Sequence, residues 1–305
     1  MTTALLFPGQ GEQHPGMLGG LPPGSRALLA TVSDVLGEDA SRLDSVESLS
    51  GTRGAQLSLL IAGVAWSDAA REAGLGFSFT AGHSIGMWAA AVAADSIDFD
   101  TALRLVDIRA RAMAEASPPG SGMLAIDGLT LATVESIAEA LRSRGGRVWA
   151  SNVNAPSQVV LSGVLDEPEE LESRLADAGA RRIARLAVAV PAHSPLMEPA
   201  RATVRRALED VVLRRPAVPI AGNSTGQTIF TAEQLRTELS ESIPVGVRWG
   251  AATGILAERG VNVWVQVPPG RRLLDLTPAG GIALSMQDLG VAETVRRATI
   301  RSEVR

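Results

Sequence analysis

The run Gly82-His83-Ser84-Ile85-Gly86 sets a serine between two glycines. Phe77-Ser78-Phe79-Thr80-Ala81 before it reads as a short strand. Met87-Trp88-Ala89-Ala90-Ala91-Val92-Ala93-Ala94 after it is rich in helix formers. Strand, glycine-flanked serine and helix form the context in which G-x-S-x-G makes a nucleophile elbow. Glycine permits a tight turn, which stands the Ser84 hydroxyl at a helix N-terminus. That terminus offers unpaired N–H groups and partial positive charge to a developing oxyanion. The alternative reading is a glycine-rich turn with an incidental serine.

A serine nucleophile needs a base. The chain has three histidines, His14, His83 and His193. His83 adjoins Ser84, and neighbours at an elbow point in different directions, so His14 and His193 are the candidates. Cysteine and tyrosine are absent. This excludes a thiol nucleophile, cysteine-ligated zinc and disulfides, and it removes the phenol as an acid or base. All 28 Lys-plus-Arg positions are arginine, which also excludes Schiff-base chemistry and a Walker lysine.

The elements that must position these groups fit an α/β fold. A chain of 305 residues, 46% hydrophobic, holds one large α/β domain or a large domain with a smaller one. Net charge is −5, which gives no footprint of a nucleic-acid binder. The first residues lack the basic start and apolar run of a signal peptide. No stretch reaches the ~18 apolar residues of a membrane span. The expected location is cytoplasmic, with no membrane partner.

Thr3–Phe7 reads as a buried strand leading into Pro8-Gly9-Gln10-Gly11. Gln56–Ala73 is a strongly apolar helix, and Asp98 is placed to cap a helix from Asp100 to about Ser117. The breaker cluster Ser117-Pro118-Pro119-Gly120-Ser121-Gly122 marks a boundary. Beyond it, Met123–Ile126, Arg147–Asn152, Gln158–Gly163 and Arg182–Val190 read as strands. Helical patterns at Thr130–Arg144 and Pro168–Ala178 separate them. This β-α-β-β-α-β order is ferredoxin-like. After Pro191 come a helix from Pro195 to Val212, a strand at Pro219–Gly222 and helices at Glu233–Leu239 and Gly250–Arg259. A strand at Val261–Val267 ends at Pro268-Pro269-Gly270. Alternating strands and helices indicate a largely parallel sheet. The expected organisation is a large domain from residues 1–121 and 192–305, with a small ferredoxin-like domain at 122–191.

In the helix Asp100–Ser117 the apolar stripe is Leu103, Val106, Ala110 and Met113. Arg104 and Arg111 fall on the opposite face, whereas Arg109 falls beside the stripe. A guanidinium tolerates burial only with a partner, and its fork suits a carboxylate. The pattern alone leaves a snorkelling arginine or a structural ion pair open.

Phe7-Pro8-Gly9-Gln10-Gly11, the Ser84 motif, Arg109 and Val190-Pro191-Ala192-His193-Ser194 together resemble the malonyl-CoA:acyl-carrier-protein transacylase family. Asn152–Gly163, Gly222-Asn223-Ser224-Thr225-Gly226 and Pro269-Gly270 extend the likeness along nearly the whole chain. The resemblance implies an α/β-hydrolase-like core with a parallel sheet and an inserted ferredoxin-like domain. It also implies Ser84 as nucleophile, His193 as general base and His14 as a loop residue. The N–H groups of Gln10 and Ile85 match the oxyanion hole, and Arg109 matches the arginine that binds the malonyl carboxylate. A backbone carbonyl near Ser242 would orient the histidine. The substrates implied are malonyl-CoA and a carrier-borne thiol arm, with no bound metal or redox cofactor.

Two departures stand out, Met87 where an acidic residue is common and Pro268 where glycine is usual. With Gln56–Ala65, they resemble the epsilon subunit of biotin-independent malonate decarboxylase, whose carrier subunit would then be the partner. The alternatives are a transacylase of fatty-acid or polyketide synthesis, a serine thioesterase or hydrolase, and a non-catalytic docking subunit. Acidic carriers would need a local basic patch, for which Arg181, Arg182, Arg271 and Arg272 are candidates.

Overall fold

The computed structural model describes residues 1–166 and 168–300; the last five residues of the expected large domain lie outside them. Ten strands occur among the described residues: β1 (Thr2–Phe7), β2 (Phe79–Gly82), β3 (Ser121–Asp127), β4 (Val148–Ala155), β5 (Gln158–Val164), β6 (Arg182–Arg185), β7 (Ile220–Ala221), β8 (Thr228–Ile229), β9 (Val261–Gln266) and β10 (Ile282–Ser285). They form two sheets. The larger has the order β10-β9-β1-β2-β7-β8 and is parallel except for β7–β8. The smaller has the order β4-β5-β3-β6 and is antiparallel throughout. Helices Leu131–Arg142 and Pro168–Asp177 connect its strands in the ferredoxin-like manner.

β1 lies at the middle of the large sheet and is buried on both faces, as parallel strands under helices are. Its side chains alternate between two cores. Leu5 and Phe7 join the cluster around the helix Thr52–Glu72, whereas Ala4 and Leu6 pack with Trp249 and Leu256 of the helix Trp249–Glu258. The small sheet has its own core of Leu124, Ile126, Val159 and Leu161 against Val134, Ala138, Leu171 and Leu175. Each face is thus closed by helices whose apolar stripes match it. No helix among the described residues is long and apolar enough to cross a membrane.

Several expected boundaries move. The strand expected over Arg182–Val190 ends at Arg185. The alternation beyond it serves a cleft, where Leu186 and Val188 line the wall. The turn expected at Asn154–Ser157 tightens, because β4 continues to Ala155. Asp98 stands at the N-cap of the helix Phe99–Glu115, but its side chain makes no cap bond. Its carboxylate instead takes both Nη atoms of Arg214, at 2.8 and 3.2 Å.

β9, β1 and β2 are adjacent and parallel, so their C-terminal ends share one edge. From that edge leave the Gln10 loop, the Ser84 turn and the Pro268-Pro269-Gly270 turn, an arrangement in which open α/β sheets place their ligands. The junction from β2 to the helix Gly86–Ala93 requires its glycines for closeness of backbone. A Cβ on Gly82 would stand 2.1 Å from the carbonyl carbon of Gly86, and one on Gly86 would stand 2.3 Å from the carbonyl oxygen of Phe7. Neither neighbour is a flexible side chain. Gly82→Ala is therefore expected to destabilise the fold by about 3 kcal/mol, at the upper end of overpacking effects. Denaturant unfolding checks this, and a change under about 0.5 kcal/mol, the usual scale of a harmless surface substitution, would contradict it.

Candidate active site

Ser84 occupies the turn between β2 and its helix with φ 52°. This is the left-handed region, which a non-glycine residue enters at a cost of about 1–3 kcal/mol. The strain thus resides in the serine itself, between two glycines chosen for contact. Its Oγ lies 2.8 Å from Nε2 of His193. His193 has φ 62° and lies in the segment between the two sheets, with its backbone N–H on the carbonyl of Ile243 at 3.0 Å.

The histidine tautomer follows from its neighbours. Nδ1 faces two carbonyl oxygens, of Ser242 at 2.7 Å and of Val245 at 3.1 Å. Carbonyls only accept, so Nδ1 carries the proton and Nε2 is free to accept from the serine hydroxyl. Among the described residues, no carboxylate stands behind the ring. Burial lowers the pKa of His193 to about 3, and the nearby Arg109 cation adds to the shift; the two carbonyls oppose it. The ring is held neutral at physiological pH, with Nε2 on the serine hydroxyl.

Arg109 is 2% exposed. Its Nη2 lies 3.4 Å from Ser84 Oγ, and its Nη1 donates to Gln56 Oε1 at 2.5 Å. Among the described residues it has no carboxylate partner. Burial lowers its pKa to about 10, which leaves it charged at pH 7. The helical-face argument thus found a buried cation, and neither bland reading holds. Arg109 thus stands beside the serine oxygen. Gln56, fully buried, continues the chain of contacts by donating to Gln10 Oε1 at 3.1 Å.

The backbone N–H groups of Gln10 and Ile85 have no acceptor among the described residues. The segments that carry them are joined where the His83 N–H donates to the Phe7 carbonyl at 3.0 Å. His83 turns away from Ser84, as expected of its position. Its Nε2–H donates to Asn154 Oδ1 of β4 at 3.1 Å, which ties the elbow to the small sheet. Burial lowers the His83 pKa. His14 is exposed in a loop, beside the carbonyl of Pro15.

The cleft runs between the two sheets. Ser84, His193 and Gln10 stand on one side, and Met123, Asn152 and Val160 on the other. Of the four arginines considered for a basic patch, Arg271 pairs with Asp288 at 3.1 Å, while Arg272 lines the cleft. Arg181 and Arg182 are exposed at the start of β6.

Four contributors have no role assigned from the sequence: Gln56, Val245, Asn223 and Glu238. Gln56 carries a readable signal, a polar residue inside an apolar helix. Asn223 belongs to a motif with no chemistry attached, and it accepts the Ser84 N–H at 2.8 Å.

Comparison with known proteins identifies relatives over most of the chain's length. The acyl transferase domain family matches residues 5–297. A malonyl CoA-acyl carrier protein transacylase of Haemophilus influenzae is 35% identical over 287 residues, covering 90% of each chain. The solved structure of a transacylase of that name from Coxiella burnetii overlays with a TM-score of 0.91 at 30% identity, over 99% of this chain and 98% of that one. A malonyl-transacylase solved in complex with its type II PKS acyl-carrier protein overlays at 0.86 with 35% identity, over 93% and 94% of the two chains. Matched along nearly its whole length, the chain belongs to the acyl transferase domain family.

Proposed function

We propose that this chain is a malonyl-CoA:acyl-carrier-protein transacylase working through an acyl-serine on Ser84. The observation that carries the reading is Arg109, a buried, charged guanidinium beside the serine oxygen with no carboxylate partner among the described residues. An unpaired buried charge is unfavourable. A malonyl group esterified on Ser84 would bring its free carboxylate within reach of that fork.

The steps follow from the contacts. His193 Nε2 takes the proton of Ser84 Oγ as the oxygen attacks the thioester carbonyl. The Gln10 and Ile85 N–H groups hold the tetrahedral oxyanion, and loss of one such donor typically raises the barrier by about 3–4 kcal/mol. The Ser242 and Val245 carbonyls steady the imidazolium. The thiolate of CoA leaves with the proton from His193. The carrier thiol then gives its proton to His193, attacks the acyl-serine and regenerates the free hydroxyl.

Carbonyl groups behind the histidine distinguish the site from the usual hydrolase triad, which places an acid there. The close Ser84–His193 pair argues against a silent docking subunit. The named relatives are transacylases, one of them held with a type II PKS carrier. They support a fatty-acid or polyketide type of carrier over the malonate decarboxylase carrier. The latter rests on Met87, Pro268-Pro269-Gly270 and the run Gln56–Ala65. Met87 is buried in the core, so its identity reflects packing and carries little information about a carrier.

Arg109→Ala tests the reading. Malonyl transfer should fall by about 2–5 kcal/mol in kcat/KM, the usual range for losing one member of a buried charge pair, while acetyl transfer holds or rises. Equal loss with both donors would show that Arg109 only supports the fold.

The depressed pKa of His193 gives a second test. A base is active when unprotonated, so its acid limb follows its pKa downward. In single-turnover acylation by malonyl-CoA, kcat/KM should stay level between about pH 5 and pH 8, with no break near the ordinary histidine value of about 6.5. A limb centred near that value would contradict the assigned environment.

A further inference from the structure

The backbone N–H of Ser84 donates to Asn223 Oδ1 at 2.8 Å, and Asn223 Nδ2 donates to the Gly82 carbonyl at 2.8 Å. One side-chain amide therefore spans the elbow from its first glycine, across His83, to the serine in the left-handed region. Asn223 is itself immobilised. It is 2% exposed, its N–H donates to Glu238 Oε1 at 2.8 Å, and its carbonyl accepts from the Arg248 N–H at 2.8 Å. Ser224 adds an N–H to Glu238 Oε1 at 3.0 Å and a hydroxyl to Oε2 at 2.6 Å.

Glu238 is a buried acid, 4% exposed. Among the described residues no arginine pairs with it. Three donors from two consecutive residues satisfy its carboxylate, and charge-assisted bonds of this kind are short and directional. It does not touch His193, so it is not the acid of a triad.

Its place in the fold links it to the histidine by another route. Glu238 lies in the last turn of the helix Ala232–Glu241, and Ser242 is the C-cap of that helix. The Ser242 N–H donates to the Glu238 carbonyl at 3.1 Å, while the Ser242 carbonyl accepts Nδ1–H of His193. One helical turn thus reaches the serine through its side chain and the histidine through its backbone.

We propose that Glu238 and Asn223 are positioning residues that hold the Ser84 turn in register with His193, with the last turn of the helix Ala232–Glu241 as the common frame. The inference rests on Ser84 being the nucleophile and is independent of the acyl group carried.

Two rates test it in Asn223→Ala, Glu238→Gln and Ser224→Ala, each scaled to the folded fraction from thermal unfolding. One is labelling of Ser84 by a small fluorophosphonate; the other is single-turnover acylation by malonyl-CoA. A misplacement of about 1 Å at reacting atoms slows chemistry roughly 10²-fold, so that loss is expected for Asn223→Ala, with about tenfold for Glu238→Gln and less for Ser224→Ala. KM for malonyl-CoA should move less than about threefold, because the affected interaction is not a binding one. Should Asn223→Ala not fold, the other two variants carry the same ordered expectation. Labelling rates per folded molecule within about twofold of the parent in the folded variants, or a loss seen only in KM, would overturn the inference. The fluorophosphonate arm needs no malonyl group, so failure of the proposed substrate leaves this test intact.

Discussion

A positive charge buried beside a strained serine is the constraint on which the rest of the site depends. Arg109 is enclosed by the fold, and no carboxylate offsets it among the described residues. Gln56 supplies one acceptor, which satisfies a donor without cancelling the charge. The field of that cation reaches His193 and helps to keep the imidazole neutral. A ligand carboxylate at Arg109 would offset the charge and return basicity to the histidine at the moment it is needed.

Geometry does the remaining work. Parallel strands β9, β1 and β2 deliver three loops to one edge of the sheet. Both reacting side chains stand on left-handed backbone, and each is held by contacts from a different element. His193 hangs from carbonyls at the end of the helix Ala232–Glu241 and the loop after it. Ser84 is clamped by Asn223. The small sheet supplies the opposite wall of the cleft, joined to the elbow through His83 and Asn154. A local distortion of the turn is therefore stabilised by tertiary contacts, as strained functional residues generally require.

Much of this was legible in the residues, and the reasons are local. The elbow shows itself because its strand, glycines and helix are contiguous. Arg109 shows itself because a charge beside an apolar stripe violates helical patterning. The ferredoxin-like order shows in the alternation of periods between residues 123 and 185. What escapes notice is short or non-local. β8 has two residues, and β10 has four beside a Gly280-Gly281 pair; neither offers enough period to read. Apolar alternation past Arg185 lines a cleft where a strand was expected. The Ser84–His193 contact joins positions 109 residues apart, and only the motif likeness pointed to it. Glu238 lies in an otherwise ordinary amphipathic helix, and nothing in its neighbours announces a buried acid.

The proposed transfer requires a malonyl group on Ser84 between donor and carrier. Rapid mixing of the chain with malonyl-CoA, acid quench and peptide mapping by mass spectrometry tests it most directly. A malonyl ester is expected on the peptide containing Ser84, discharged when a thiol-bearing acyl carrier protein is added. A chain that stays unmodified while transfer proceeds, or an ester on any other residue, would contradict it.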